Sequence, residues 1–594
     1  MKRLIQVALV GVLLVAMASL AAAQARPPVA VGEPQPVTRL GGGYIEVAND
    51  LFMHILALAD IRYSTTENQD FERRVRDRAS SRNPESTAAQ ALESDENWIL
   101  LRFGAQFRYQ KNLFMHMEFE ERKLIDGNTM DDRANCTNPG GTNVFGTAAS
   151  DENPGFRIVN LYVDYKFEGT PLRLRVGADI WNLDPAGLIG RHDPRAVVFG
   201  DFGAVDVLAG VVFKRAGTRL GYENDNDFLY YTFSAGYNAR PHRFQFDVVY
   251  FRDRFAGARM QTDGLSTDSD KTGWTGQSTD SVLLMPSWTG RIGPVTALVQ
   301  GNVVLGTARG GDQGIPVVAG NPLFKADRKY DIFAGGVVAY AEAEALQGQL
   351  RPFVGFFWGS ADKDPSDRSL HGFSSYPATS SSQFTGVPTF AQFDISQAVG
   401  GRDRACPARL QGLTARSTSA ATTLAANPLA IGTDVMGTTG GTDCWHDVTY
   451  PFDDRVGRFS HLGLVSTYSN VGTLMIPAGV KFFPSFLKGH EFTGWYAYRG
   501  MVSTRLIDIA FAPELAAQGK SHIGKGIYHE AGGYWLWTIN PYLDFRLSGT
   551  LGFAANASRD LAKLSDCNLN KPGVQSCKGD DVALHAEARI RARF

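Results

Sequence analysis

The last thirteen residues constrain this chain more than any other stretch. From Val582 to Phe594 every second residue is apolar: Val582, Leu584, Ala586, Ala588, Ile590, Ala592 and Phe594. Between them stand Ala583, His585, Glu587, Arg589, Arg591 and Arg593. A period of two puts these sets on opposite faces of an extended strand. An apolar face, a charged face and a terminal aromatic are what the closing strand of a membrane barrel needs. One face meets lipid and the other a wet lumen.

The same alternation recurs upstream. Leu101, Phe103, Ala105, Phe107 and Tyr109 alternate with Arg102, Gly104, Gln106 and Arg108; Leu161, Val163, Tyr165 and Phe167 alternate with Tyr162, Asp164 and Lys166. Leu543, Phe545, Leu547, Leu551 and Phe553 alternate with Asp544, Arg546, Ser548 and Thr550. Each stretch is about the 9–11 residues that a tilted strand needs to cross a bilayer. After the N-terminus no run of 18 apolar residues occurs, which leaves a closed barrel as the spanning form.

The first 25 residues read as an export signal. Lys2 and Arg3 precede the apolar stretch Leu4 to Leu20 and a small-residue site around Ala21 to Ala25. Residues 26–54 then form a periplasmic segment carrying Pro27, Pro28, Pro34 and Pro36, and residues 55–594 the barrel. The formal net charge of −2 argues against a nucleic-acid partner that would need a strongly basic surface. Five cysteines are too few for a disulfide framework. Cys406 with Cys444, and Cys567 with Cys577, are the pairs whose spacing would close a loop.

Strands are expected at 55–66, 95–110, 112–124, 156–168, 171–182, 193–202, 205–216, 227–238, 241–254, 280–291, 294–306, 329–343, 347–360, 471–485, 489–503, 525–540, 541–556 and 581–594. That makes an all-β, antiparallel transmembrane barrel of about 18 strands. Connections after even strands are short and those after odd strands mostly long and polar, as periplasmic turns and external loops should be. Segment 193–202 is kept because the alternation of short and long connections fails without it. Residues 361–470 form the longest connection, and a loop of that length is read either as an infolded constriction or as a mobile cap.

In its C-terminal third the sequence resembles the alginate-export (alginate porin-like) family of outer-membrane barrels. The matching stretches are Asn470 to Pro484, Phe492 to Arg499, Gly526-Ile527-Tyr528-His529-Glu530 and Pro541 to Phe553, with Gly187-Leu188-Ile189-Gly190-Arg191 upstream. The resemblance implies an 18-stranded passive porin. A non-enzymatic porin in the outer membrane of a Gram-negative-type bacterium is the expectation, with an outer-membrane barrel enzyme or a plugged barrel that binds a surface partner as the alternatives.

The candidate pore-lining residues follow from strand phase: Arg102, Arg108, Glu118, Glu120, Asp164, Arg173, Arg175, Asp544, Arg546, Glu587, Arg589, Arg591 and Arg593. Arginines around a narrow wet pore favour anions, whereas arginines paired with carboxylates would simply brace the wall. His529-Glu530 begins like a zinc-site motif, but position 533 is Gly and a strand separates the two side chains. Asp268 and Asp270, with Gly273, sketch a calcium loop that has Thr279 where the last ligand should be. No cofactor is otherwise expected. Most of Trp98, Trp181, Tyr534, Trp535, Trp537 and Tyr542, near strand ends, are assigned to interfacial aromatic girdles rather than to sugar-stacking sites. The partners expected are membrane lipid, small hydrophilic or anionic solutes and, through the C-terminal strand, the barrel-assembly machinery.

Overall fold

A computed structural model describes residues 45–67 except 49, 94–124 except 111, 157–215 except 180–182 and 187–192, 228–253, 278–309, 329–371 except 362–368, 473–560 except 506–507, 509–514, 517 and 558, and 582–593. The export signal, both proposed disulfides, Asp268, Asp270 and most of 361–470 lie outside these residues. So do the side chains of Trp98, Trp181, Glu120 and Glu587.

The strands are β1 (Ile45–Ala48), β2 (Leu51–Glu67), β3 (Ser94–Tyr109), β4 (Leu113–Leu124), β5 (Arg157–Lys166), β6 (Leu172–Asp179), β7 (Asp193–Phe202), β8 (Val205–Arg215), β9 (Phe228–Ala239) and β10 (His242–Asp253). They continue with β11 (Ser278–Ile292), β12 (Val295–Arg309), β13 (Lys329–Ala343), β14 (Leu350–Gly359), β15 (Ser369–Leu370), β16 (Thr473–Phe482), β17 (His490–Gly500), β18 (Gly526–Asn540), β19 (Leu543–Ala554) and β20 (Val582–Arg593). Each long strand pairs antiparallel with its neighbours in sequence, and β20 pairs with β2 from Leu58↔Arg593 to Glu67↔Leu584. That last pairing closes an 18-stranded barrel of β2–β14 and β16–β20.

All eighteen expected strands are present, and the segment retained for parity, 193–202, is β7 with the same bounds. Two short strands were not foreseen, being too brief to carry a pattern. β1 pairs with the first residues of β2. β15 runs parallel to β13 at Asp331 and Ile332, beyond the last β13–β14 pair, Gly336↔Gly359. The expected strand at 347–360 starts later, because Leu346 and Gln347 take positive φ angles of 49° and 57° in a tight turn.

The two faces separate as strand phase requires. Leu101 (43% exposed), Val163 (41%), Leu547 (48%) and Ile590 (47%) stand on the outer surface, whereas Asp164 (6%) and Asp544 (3%) are buried on the inner one. An outer wall this apolar is stable only in lipid. The interior is not polar throughout. From β11 to β17 the inward positions include Leu283, Met285, Val304, Val338, Phe353, Phe357, Met475 and Trp495, all buried. Apolar residues therefore stand on both faces of parts of these strands, beside inward polar groups such as Ser281, Gln300 and Asn302, which blurs their alternation in the sequence.

Close packing of the wall demands glycine at one inward position of β6. Gly177 has φ +134°, and a Cβ there would lie 2.1 Å from the carbonyl oxygen of Leu161 and 2.5 Å from the Cα of Tyr162. Gly177→Ala should therefore cost about 1–3 kcal/mol. The loss is readable as a lower urea midpoint for the heat-modifiable folded band, with an unchanged midpoint counting against the account.

Candidate functional site

The inner wall from β18 through β20 and β2 to β7 carries most of the arginines singled out by strand phase. Arg589 reaches across the closing seam to Asp60, with Nε at 2.8 Å from one carboxylate oxygen and Nη2 bonded to the other. Arg591 (Nε, 2.9 Å) and Arg593 (Nη2, 2.7 Å) both donate to Oδ2 of Asp544. Arg175 binds Asp164 through Nε at 2.9 Å and Nη2 at 2.7 Å, and Arg173 stands 3.4 Å from the same carboxylate. The guanidinium of Arg175 lies 4.4 Å from the ring centroid of Tyr162 and 5.5 Å from that of Phe199. Charge-assisted bonds and aromatic faces fix these groups in place.

The remaining positions are less uniform. Arg108 is at the short-turn rim, where its Nε donates to the carbonyl of Gln110 at 3.2 Å. Arg546 lies over the ring of Tyr534 at 4.9 Å. Glu118 is buried and accepts a 2.5 Å bond from the amide of Asn160. Arg102 occupies an inward position of β3 opposite Glu120. Tyr534 corrects its girdle assignment: it points inward and bonds Glu491, while its neighbours Trp535 and Trp537 stack with His490 on the outer face. Strand phase separates them, since odd positions of β18 face out.

His529 and Glu530 also take opposite faces. His529 bonds Tyr496 at 2.5 Å on the outer side, and Glu530 is buried inside, accepting from Nε1 of Trp495 at 3.0 Å. They share no site.

A segment that folds inward, one of the two readings given for 361–470, is found between two other strands. Leu183-Asp184-Pro185-Ala186, between β6 and β7, bonds inward side chains of β10 and β12, strands three and five places round the wall from β7. Gln245 Nε2 donates to the carbonyl of Leu183 at 2.8 Å, and Gln300 Nε2 to Asp184 at 2.9 Å. The amide of Ala186 donates back to Gln300 Oε1 at 3.1 Å. Leu183, Asp184 and Ala186 are all buried. This segment spans part of the barrel's interior, tied to the wall by glutamines.

Other groups were missed on the side facing the arginine wall. Arg243 forms a two-point pair with Asp206 at 2.6 and 2.7 Å. Glu342 binds Lys481 at 2.6 Å and Tyr340 at 2.7 Å, and Glu344 binds Arg291 at 2.8 Å. Asp247, buried, is within electrostatic reach of Asp184 and accepts from Gln245 at 2.9 Å. The alternation in His242–Asp253, with Arg243, Gln245 and Asp247 between Phe244, Phe246 and Val248, was the signal that would have found part of this set.

No family model matches the chain, and no curated protein matches it. Among solved structures it is similar to Pseudomonas putida OprB at 10% identity, with 91% of this chain and 94% of that chain covered and a TM-score of 0.39. Acinetobacter baumannii OccAB1 shares 8% identity over 91% of this chain and 97% of that one, with a TM-score of 0.42. Pseudomonas aeruginosa OpdK, solved with vanillate, shares 9% identity over 93% of this chain and 100% of that chain, at a TM-score of 0.39. The fold itself rests on the strand pairing described above.

Asp164 is the residue on which the β5–β6 wall turns. Asp164→Ala would strand the buried Arg175 without its carboxylate, and should destabilise the barrel by about 3–5 kcal/mol. Urea unfolding in detergent micelles checks this, and a change below about 1 kcal/mol would mean the pair is dispensable.

Proposed function

We propose that this protein is an outer-membrane porin through which hydrophilic solutes diffuse passively. The observation that carries the reading is the segment 183–186, held inside a closed barrel by Gln245 and Gln300. An inward segment tied to the wall would narrow a channel, and neither ion pairs nor glutamines supply a turnover step. The short connections, at 110–112, 167–171, 203–204, 240–241, 293–294, 344–349, 483–489 and 541–542, lie on the periplasmic rim, with the long connections outside. The resemblance to the alginate-export family makes acidic saccharides the substrate class to try first.

The pore-lining set named from the sequence gives this channel its field. Arg591 and Arg593 share one carboxylate, as do Arg173 and Arg175, so the β18–β7 wall retains positive charge after pairing. Asp184 and Asp247 lie on the other side. Such a wall favours anions, most strongly at low salt.

The apolar inner wall of β11–β17 favours one second reading, a barrel whose lumen is filled and whose loops bind a surface partner. Bilayer recording of the refolded chain, with and without residues 361–470, separates the two. A porin conducts with that loop present, and a filled barrel conducts only once it is removed.

Two outcomes are expected in single-channel recordings. Replacing Gln245 and Gln300 together by Ala should raise conductance and increase current noise, since the inward segment loses its ties. In a salt gradient the reversal potential should favour anions and move toward zero in Arg591→Ala. A cation-favouring potential that Arg591→Ala leaves in place would overturn the anion bias.

A further inference from the structure

On the inner wall of β3–β5, His116 and Glu118 stand apart from the arginine–aspartate pairs, within ion-pair distance of each other. His116 is 6% exposed and Glu118 1%, and they occupy successive inward positions of β4. Among the described residues, His116 Nε2 is buried and makes no hydrogen bond. The nearest carboxylate oxygen, Oε2 of Glu118, is 3.5 Å away. The other ring nitrogen, Nδ1, is 3.4 Å from the hydroxyl of Tyr162. A buried imidazole nitrogen with no bonded partner is costly unless something completes it.

The spacing says what fits. Two donors bound to one tetrahedral metal at about 2.1 Å lie about 3.4 Å apart, and the observed separation is 3.5 Å. We infer that His116 Nε2 and Glu118 form a two-point site for a divalent transition-metal cation of the zinc class on the lumen wall. The hydroxyl of Tyr162 would then accept from Nδ1–H, which fixes the tautomer leaving Nε2 free to ligate. Asn160 holds the Glu118 carboxylate from the neighbouring strand at 2.5 Å. Gln106 lies directly opposite His116 in the β3–β4 register, and water would complete the coordination.

Charge and ligand type set the selectivity. Arg102, the next inward residue of β3 beyond Gly104, competes with a cation for Glu118. A hard ion that relies on carboxylates alone, such as calcium or magnesium, loses that competition. A metal with strong affinity for imidazole gains a ligand that Arg102 does not contest. The site is separate from the ties of segment 183–186, so metal binding and conduction are read independently.

The test is zinc chloride titrated into the refolded full-length chain in detergent by calorimetry, with Cu2+ electron paramagnetic resonance as a second readout. One equivalent should bind in a class whose affinity falls by on the order of tenfold or more in His116→Ala and in Glu118→Gln, each losing one of two protein ligands. Arg102→Gln should tighten the same class, and magnesium should not compete. The Cu2+ spectrum should lose a nitrogen coupling in His116→Ala. Glu118→Gln is nearly isosteric, so it reports on the site even if His116→Ala fails to fold. An isotherm unchanged in Glu118→Gln and in folded His116→Ala, or no zinc binding by the parent chain, would overturn the assignment.

Discussion

Every feature of this protein depends on one requirement: the backbone's polar groups must be satisfied where no water can reach them. In lipid each unpaired N–H or C=O costs several kcal/mol, so a sheet that enters the bilayer must have no free edge there. The β2–β20 pairing provides this, joining residues more than 500 positions apart in the chain. Once the sheet is closed, side-chain phase is no longer free. Each residue faces either lipid or the interior, and a one-residue slip would exchange the two sets.

That constraint explains how the charges are arranged. A guanidinium forced inward by strand phase needs a carboxylate within reach, and the nearest ones lie across the strand ladder. Asp164 serves Arg173 and Arg175, Asp544 serves Arg591 and Arg593, and Asp60 serves Arg589 across the seam. The bracing and selectivity readings of the arginines are therefore compatible. Pairing holds the wall rigid, and the proposed selectivity rests on two arginines sharing each of Asp164 and Asp544.

Legibility in the sequence followed the alternation. β3, β5, β19 and β20 have one apolar and one polar face, and their residues fell on the faces that phase assigned. β13 and β14, carrying Val338, Phe353 and Phe357 inward, present apolar residues to both sides, so length and turns located them where patterning was weak. The 183–186 segment had no signature, because its attachment depends on Gln245 and Gln300 from strands far along the chain. Tyr534 was misassigned because its neighbours Trp535 and Trp537 made the stretch look like an outward belt, although alternation alone sets Tyr534 apart.

The sequence by itself determined the architecture: a period of two, repeated at the length of a bilayer and separated by alternately short and long connections, admits little besides a closed barrel. It also determined which face each charged strand residue occupies, since that is a local property of extended backbone. Only the tertiary structure decided which charges meet, which loop turns inward and which donors are left without a bond. Those outcomes depend on register between strands and on contacts across the barrel. His116 and Glu118 are two residues apart in the chain, yet Tyr162 and Asn160 from the adjacent strand fix their setting. No local pattern encodes a partner supplied by a strand some forty residues away.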